Sequence, residues 1–410
     1  MYIDIPQTFS LASIGCRTNQ YEIQALKEQL EAMGCIYVEK DADLCIVNTC
    51  SVTQGAESSS RRSIRSLIKK HPRARIIITG CLALRAPETL KGEIIPEKES
   101  IVKTLFPDRL IPPFSISKFS NHTRAFVKVQ DGCNNFCSYC IIPYLRGRSR
   151  SKDTKSIVKE VQGLIESGHK EIVLTGIDVG DFNDNGFVLS DLVQTLDALD
   201  GLKRLRISSI NPNQVDEKMV ETILSGKNTC HSMHLVLQSG STKILQKMRR
   251  LYTREQFLET VALFRQRSAD FMFTTDVIVG FPGETEEDFE QSLELVKEVR
   301  FAKVHMFPYS ERPGTRAKRF LDKVPAKTIT ERKGCLLKEA EEISCQVREK
   351  YVGKEVEVLT EQSNETKWLN AQTRNGLPVL LPRESAQPNE LIQVRLEKNG
   401  DCALIGSRFL

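Results

Sequence analysis

Three cysteines, Cys133, Cys137 and Cys140, follow the strand-like run Ala125–Val129 in the spacing C-x3-C-x2-C. Thiolates at that range can converge on one soft metal centre, and amides of the same loop can hydrogen-bond the sulfurs. A structural zinc site closes with four ligands, and no further His or Cys follows closely enough to be the fourth. Three thiolates on a 4Fe–4S cube leave one iron open for a substrate or cofactor. The competing reading is a zinc knuckle with a distant fourth ligand, in a non-catalytic RNA-binding protein. Visible absorption separates the two, because iron–sulfur clusters are coloured and zinc is not.

The N-terminal stretch alternates strand and helix. Residues 8–13 read as a strand, Tyr21–Met33 as a helix, Leu44–Val47 as a strand, about 54–70 as a helix and Arg75–Thr79 as a strand. That pattern makes a small parallel α/β unit over residues 1–100. Each strand runs out into a cysteine: Cys16, Cys50 and Cys81. Taken singly, each is a small buried hydrophobe. Ligands gather at the carboxyl ends of strands in such sheets, so the three can also meet at one edge. Cys35 and Cys45 stand elsewhere and read as structural. Seven basic residues without an acid fill Arg61–Arg75. They form a solvated helix face or a phosphate-contacting patch.

Residues 92–120 lose periodicity and collect four prolines, so 101–120 is expected to be a linker. From 121 to 350 the alternation resumes. Strands are expected at 125–129, 171–175, 204–208, 233–237, 272–278 and 302–306. Helices are expected at about 154–167, 188–199, 214–225, 253–266, 285–299 and 327–349. Six such units fit a partial or full (β/α) barrel, whose chemistry lies on the loops after the strands. Residues 351–410 carry five short strands separated by turns, an OB-like barrel. All six strand-end cysteines named so far precede residue 350, so this last unit is expected to be removable without loss of the fold.

The string Cys133-Asn-Asn-Phe-Cys137-Ser-Tyr-Cys140-Ile-Ile-Pro-Tyr-Leu-Arg146-Gly resembles the radical S-adenosylmethionine (SAM) methylthiotransferases. It is most similar to the subgroup acting on N6-threonylcarbamoyladenosine in tRNA, as is Gly15-Cys16-Arg-Thr-Asn-Gln-Tyr-Glu22. The resemblance implies two 4Fe–4S clusters. Cys133, Cys137 and Cys140 would hold the one that binds SAM. Cys16, Cys50 and Cys81 would hold an auxiliary cluster carrying the sulfur. It further implies a SAM pocket formed by Tyr139, Gly176, Asp178, Ser208, Gln238, Gly280 and Glu284, and a C-terminal RNA-binding TRAM domain. A 5′-deoxyadenosyl radical from SAM would start the chemistry, with no catalytic residue needed beyond the cluster ligands. The implied partners are tRNA, SAM and an electron donor of unknown identity. Alternatives within the family are N6-isopentenyladenosine in tRNA and an aspartate of a ribosomal protein.

The totals agree with these readings without selecting among them. A net charge of +5 is a weak lean toward RNA, and residues 352–410 are nearly charge-balanced. No apolar run reaches membrane-spanning length. The N-terminus shows no basic, apolar leader. Twelve cysteines without a leader point to metal or redox use in a reducing cytoplasm rather than to disulfides.

Overall fold

Strand Leu44–Thr49 is buried at every position, as a strand covered on both faces must be. Its alternate side chains divide between two cores. Leu44 and Ile46 pack with Leu26 and Leu30 of helix Arg17–Ala32, whereas Cys45 and Val47 pack with Ile64 and Leu67 of helix Gln54–Lys70. The surrounding sheet is parallel, in the order Ile36–Tyr37, Thr8–Ser13, Leu44–Thr49, Arg75–Gly80, Glu93–Ile94. The computed structural model describes residues 6–119 and 122–408. The leader expectation on residues 1–5 and the ends of the 101–120 and 121–350 ranges at residues 120 and 121 lie outside the described residues, as do residues 409–410.

Two expectations are corrected here. The first helix begins at Arg17 rather than Tyr21, because Gly15 turns the chain at φ +110° and Cys16 then caps the helix in an extended conformation. The stretch taken for a linker contains helix Ile101–Leu105, and Ile101, Val102, Leu105 and Phe106 are buried in the first core. Pro96 and Pro107 bracket this helix as breakers instead of marking an unstructured run. The basic run lies on helix Gln54–Lys70 and the turn after it. Arg62, Arg65, Lys69, Lys70 and Arg73 are exposed, while Arg61 pairs with Glu57 and Arg75 with Glu93.

The second unit is a row of parallel strands in chain order. Arg124–Lys128, Glu171–Thr175 and Arg204–Ile207 form one sheet. Ser209–Ile210, Ser232–Leu235, Met272–Val279 and Lys303–Pro308 form the next. Ser208 is the break between them. No pairing joins the first and last strands among the described residues, so this is a partial (β/α) barrel. Helix Ala326–Glu349 packs over the last strand.

The C-terminal strands close into a five-stranded barrel in the order Glu355–Glu361, Trp368–Thr373, Pro378–Pro382, Leu404–Arg408, Leu391–Asn399. Closure leaves no free sheet edge. The strands of this unit are hydrogen-bonded to the buried interior of the second unit. The fully buried Arg204 donates to the carbonyls of Gln372 at 2.9 Å and Glu357 at 3.0 Å, and Arg206 to that of Arg374 at 3.1 Å. Cutting the chain at 350 would remove those acceptors and uncover both guanidinium groups to water, a change that the positions of the cysteines could not reveal.

One ion network joins the first two units. Arg146, at the end of the cysteine loop, contacts Glu22 and Asp131 at 2.9 Å each and donates to Asn19 at 2.6 Å. Lys98 and Lys128 approach Glu22 at 3.2 and 3.4 Å. The side chains of Arg146 and Glu22 are 3% and 1% exposed, so neither charge is hydrated. Arg146→Ala is expected to destabilise the protein by about 3 kcal/mol, because the buried Glu22 loses its nearest cation while Lys98 and Lys128 remain. Arg75→Ala, at an exposed pair, should cost no more than about 1 kcal/mol. Denaturant unfolding of the two variants side by side checks the difference.

Candidate active site

The loop bearing Cys133, Cys137 and Cys140 is held by its backbone. Gly132 turns at φ +75°, and a Cβ there would lie 2.0 Å from the Arg148 carbonyl oxygen, so only glycine fits. The Cys133 amide donates to Gly147 and the Ser138 amide to Met248. Each sulfur then acquires polar company. The Asn135 amide and its side-chain Nδ2 both reach Cys133 Sγ at 3.4 Å. Arg250 Nη1 reaches Cys137 Sγ at 3.2 Å. Burial pushes the Cys133 thiol up to about 11 and the Cys140 thiol up to about 12, with neighbouring thiols adding to both. Ionising them therefore requires a cation, which a bound metal cluster supplies.

Asp178 lies beside Cys133, its Oδ2 3.6 Å from the sulfur. Asn135 donates to that oxygen at 2.6 Å, and Asn211 and Gln214 donate to Oδ1 at 3.0 and 2.9 Å. Gln130 accepts from the amides of Ile177 and Asp178 and so fixes the loop below. Burial raises the Asp178 carboxyl above its usual range. Gly176 and Ser208 line a cavity beyond it, and the Ser208 hydroxyl is buried without a hydrogen-bond partner among the described residues. Gln238 sits at φ +68° on a bridge to Val277. Tyr139 packs edge-on against Phe281.

Gly280 and Glu284, expected in the SAM pocket, meet the last helix of the second unit. The closest neighbour of a Cβ at Gly280 would be Ile329 of the last helix, and Glu284 is bonded to Arg332 of that helix at 2.6 Å. Their close approach serves the closing helix, and the Glu284 carboxylate is committed to an ion pair.

Cys16, Cys50 and Cys81 each follow the end of a parallel strand. Gly15 makes their approach possible, since a Cβ there would lie 2.8 Å from Cys50 Cβ. Cys16 is exposed, whereas Cys50 and Cys81 are buried. Burial raises Cys50 to about 11, and the neighbouring Cys81 and Cys16 are close enough to raise it further. Burial also raises Cys81, while Arg146 and Lys98 pull it down. The structure thus brings the trio to one sheet edge, with Arg146 between it and the other loop.

Thiols are the donors that suit the soft irons of an iron–sulfur cube, and three of them at a site leave one iron open. Cations beside each trio, Arg250 in one and Arg146 and Lys98 in the other, suit the negative charge of a thiolate-bound cluster. Sequence reasoning missed Arg250, Asn211 and Gln130. Arg250 and Asn211 are distant in sequence and reach the loop only through the strand order, and Gln130, though three residues from Cys133, carries no motif.

A cavity of about 800 Å3 runs along the inner face of the strands, from Cys16 and Gly176 to Gly376 of the C-terminal barrel. Alternation along Met272–Val279 turns Thr274 and Asp276 into it while Phe273 and Thr275 are buried.

The family model described as Radical SAM superfamily matches residues 127–296, and that described as Uncharacterized protein family UPF0004 matches residues 8–102. A Chlamydia pneumoniae protein named threonylcarbamoyladenosine tRNA methylthiotransferase MtaB is 42% identical, over 98% of this chain and 98% of its own. A Clostridium botulinum (strain Loch Maree / Type A3) protein named tRNA-2-methylthio-N(6)-dimethylallyladenosine synthase is 34% identical, over 98% and 97%. Among solved structures, the radical S-adenosylmethionine methyltransferase TsrM from Kitasatospora setae superposes with a TM-score of 0.57 at 15% identity, covering 76% of this chain and 77% of that one. This last likeness is one of fold.

Gly15→Ala is expected to push Cys50 aside at a strained backbone position, destabilising the protein by about 1–3 kcal/mol. It should also lower iron uptake on anaerobic reconstitution. Gly186→Ala, at a turn with open space around it, should keep wild-type iron.

Proposed function

This chain belongs to the radical SAM methylthiotransferases that act on tRNA, and on that premise we propose that it places a methylthio group on C2 of N6-threonylcarbamoyladenosine beside the anticodon. The observation that carries the choice of substrate is the nearly full-length relation to proteins named for that nucleoside. Relatives named for dimethylallyladenosine are similar at lower identity than the Chlamydia pneumoniae protein. Their apolar substituent would gain little from a cavity lined by Arg17, Arg124, Arg206 and Lys303.

Cys133, Cys137 and Cys140 hold one 4Fe–4S cluster in this reading, and Cys16, Cys50 and Cys81 hold a second. When bound, the clusters and SAM supply radical generation and the sulfur that is transferred. The chain's own residues do the positioning. Asp178, oriented by Asn135, Asn211 and Gln214, offers a carboxylate beside Cys133 for the SAM amino group. Gly176 lets its loop pack closely on Gln130, and the orphaned Ser208 hydroxyl offers a hydrogen bond. Tyr139 and Gln238 complete that wall, while Gly280 and Glu284 support it through the closing helix. Residues 1–100 carry the auxiliary site, 121–350 the SAM site and 351–410 an RNA-holding barrel. An electron donor must serve the first cluster, and the setting is the cytoplasm. Among the described residues, no helix is long and apolar enough to cross a membrane.

Mass spectrometry of tRNA nucleosides from cells with and without the gene tests the substrate. The 2-methylthio form of N6-threonylcarbamoyladenosine should vanish on deletion, and loss of a methylthiolated isopentenyladenosine instead would refute the reading. Anaerobic reconstitution should give about eight irons per chain, and joint replacement of Cys133, Cys137 and Cys140 by Ala about half. Cys50→Ala should spare 5′-deoxyadenosine release from SAM and abolish methylthiolation. Product from that variant would remove the role assigned to the second trio.

A further inference from the structure

The cavity between the three units is lined by Arg17, Arg124, Arg206, Lys303 and Arg348 against Asp276 and Glu341, and its cations are not equivalent. Arg124 is paired with Glu361 at 2.7 Å and Arg206 with Glu171 at 2.8 Å. Asp276 lies 3.4 Å from His234. Arg17 and Lys303 have no carboxylate partner among the described residues. Arg17 has only the Phe126 ring beneath it, its guanidinium 5.6 Å from the ring centre. Its N–H donors therefore stand open to the cavity. Arg124 and Arg206 are near enough to repel its charge, and both Arg17 and Lys303 act on the His305 ring. Such a group of like charges within protein walls is a receptor for an anion.

The chemistry of the substrate says which anion. In a threonylcarbamoyl group the amino nitrogen of threonine is consumed in the carbamoyl linkage, which leaves its carboxylate free. A dimethylallyl group has no charge. Arg17 directly follows Cys16, so this cationic patch stands at the wall assigned to the second cluster. A base presented there would bring its N6 substituent within reach of the same cavity.

We propose that Arg17, assisted by Lys303, receives the carboxylate of the threonylcarbamoyl group and thereby selects the substrate. This rests on the substrate reading above. Arg is suited to the role because its planar fork matches a carboxylate with two parallel hydrogen bonds. A substrate lacking the carboxylate would leave the charge unpaired, which is how a polar site rejects an apolar analogue.

The test measures binding by full-length, cluster-loaded protein under anaerobic conditions. Three anticodon stem–loop RNAs are compared, bearing threonylcarbamoyladenosine, the same group with its carboxylate converted to a carboxamide, or plain adenosine. Wild type should bind the acid at least about tenfold more tightly than the amide. Arg17→Gln should remove most of that ratio, Arg17→Lys should retain part of it, and Lys303→Gln should reduce it. Iron content and visible absorption identify any variant that fails to load. If Arg17→Gln does not load, Lys303→Gln decides, and an unchanged acid-to-amide ratio in it overturns the proposal. Equal weakening toward all three RNAs would assign these cations to phosphate and overturn it as well. A wild type that favours the modified over the plain RNA but ignores the carboxylate would sink this inference alone. One that treats modified and plain RNA alike would sink the substrate reading with it.

Discussion

The site depends on one buried cation. Arg146 stands where the first sheet meets the second unit, and it holds Glu22 of one and Asp131 of the other. Glu22 lies on the helix that Cys16 caps, and Arg146 ends the loop that begins at Cys133. The ion network therefore sets how far apart the two cysteine trios stand. Charges this deeply buried tolerate little displacement, because each lost contact weakens the compensation of an ion held away from water. An apolar interface of equal area would be free to slide. This one has a fixed register.

A second constraint comes from the far end of the strands. Glu171, Arg204 and Arg206 form a buried cluster, and three of its N–H groups donate to carbonyls of the C-terminal barrel. The barrel thus completes the hydrogen bonding of the central sheets and is not merely tethered to them. It also walls the cavity through Gln372, Asn375 and Gly376. Whatever the barrel grips is held in register with the strand-end loops. The hollow itself follows from the strands being polar on their inner alternation, where a packed barrel would place large branched residues.

The loops after the strands were legible in the sequence because their signals are local. Cys133, Cys137 and Cys140 lie within one loop, and the repeated strand-then-cysteine pattern carries Cys16, Cys50 and Cys81. The strand and helix periods were equally plain, since burial on two faces writes itself into alternate residues. The linker expectation failed where a short apolar helix sits between prolines, too brief for its period to register. The contacts of the C-terminal unit were hidden for another reason: strand residues Arg204 and Arg206 read as ordinary sheet members, and the carbonyls they meet are 153 and 168 residues away.

The sequence by itself determined the three kinds of unit, the two sets of thiols and the family, because each is written in short-range spacing or in periodicity. Only the tertiary structure decided which charges are paired and which are free. Arg146 and Arg17 look alike in the chain, each a basic residue near a cysteine. One is enclosed by carboxylates of two units, and the other faces an open cavity over a phenyl ring. The difference arises from side chains that meet only when the sheets have packed. Electrostatic role depends on distance and burial in space, and sequence spacing carries neither.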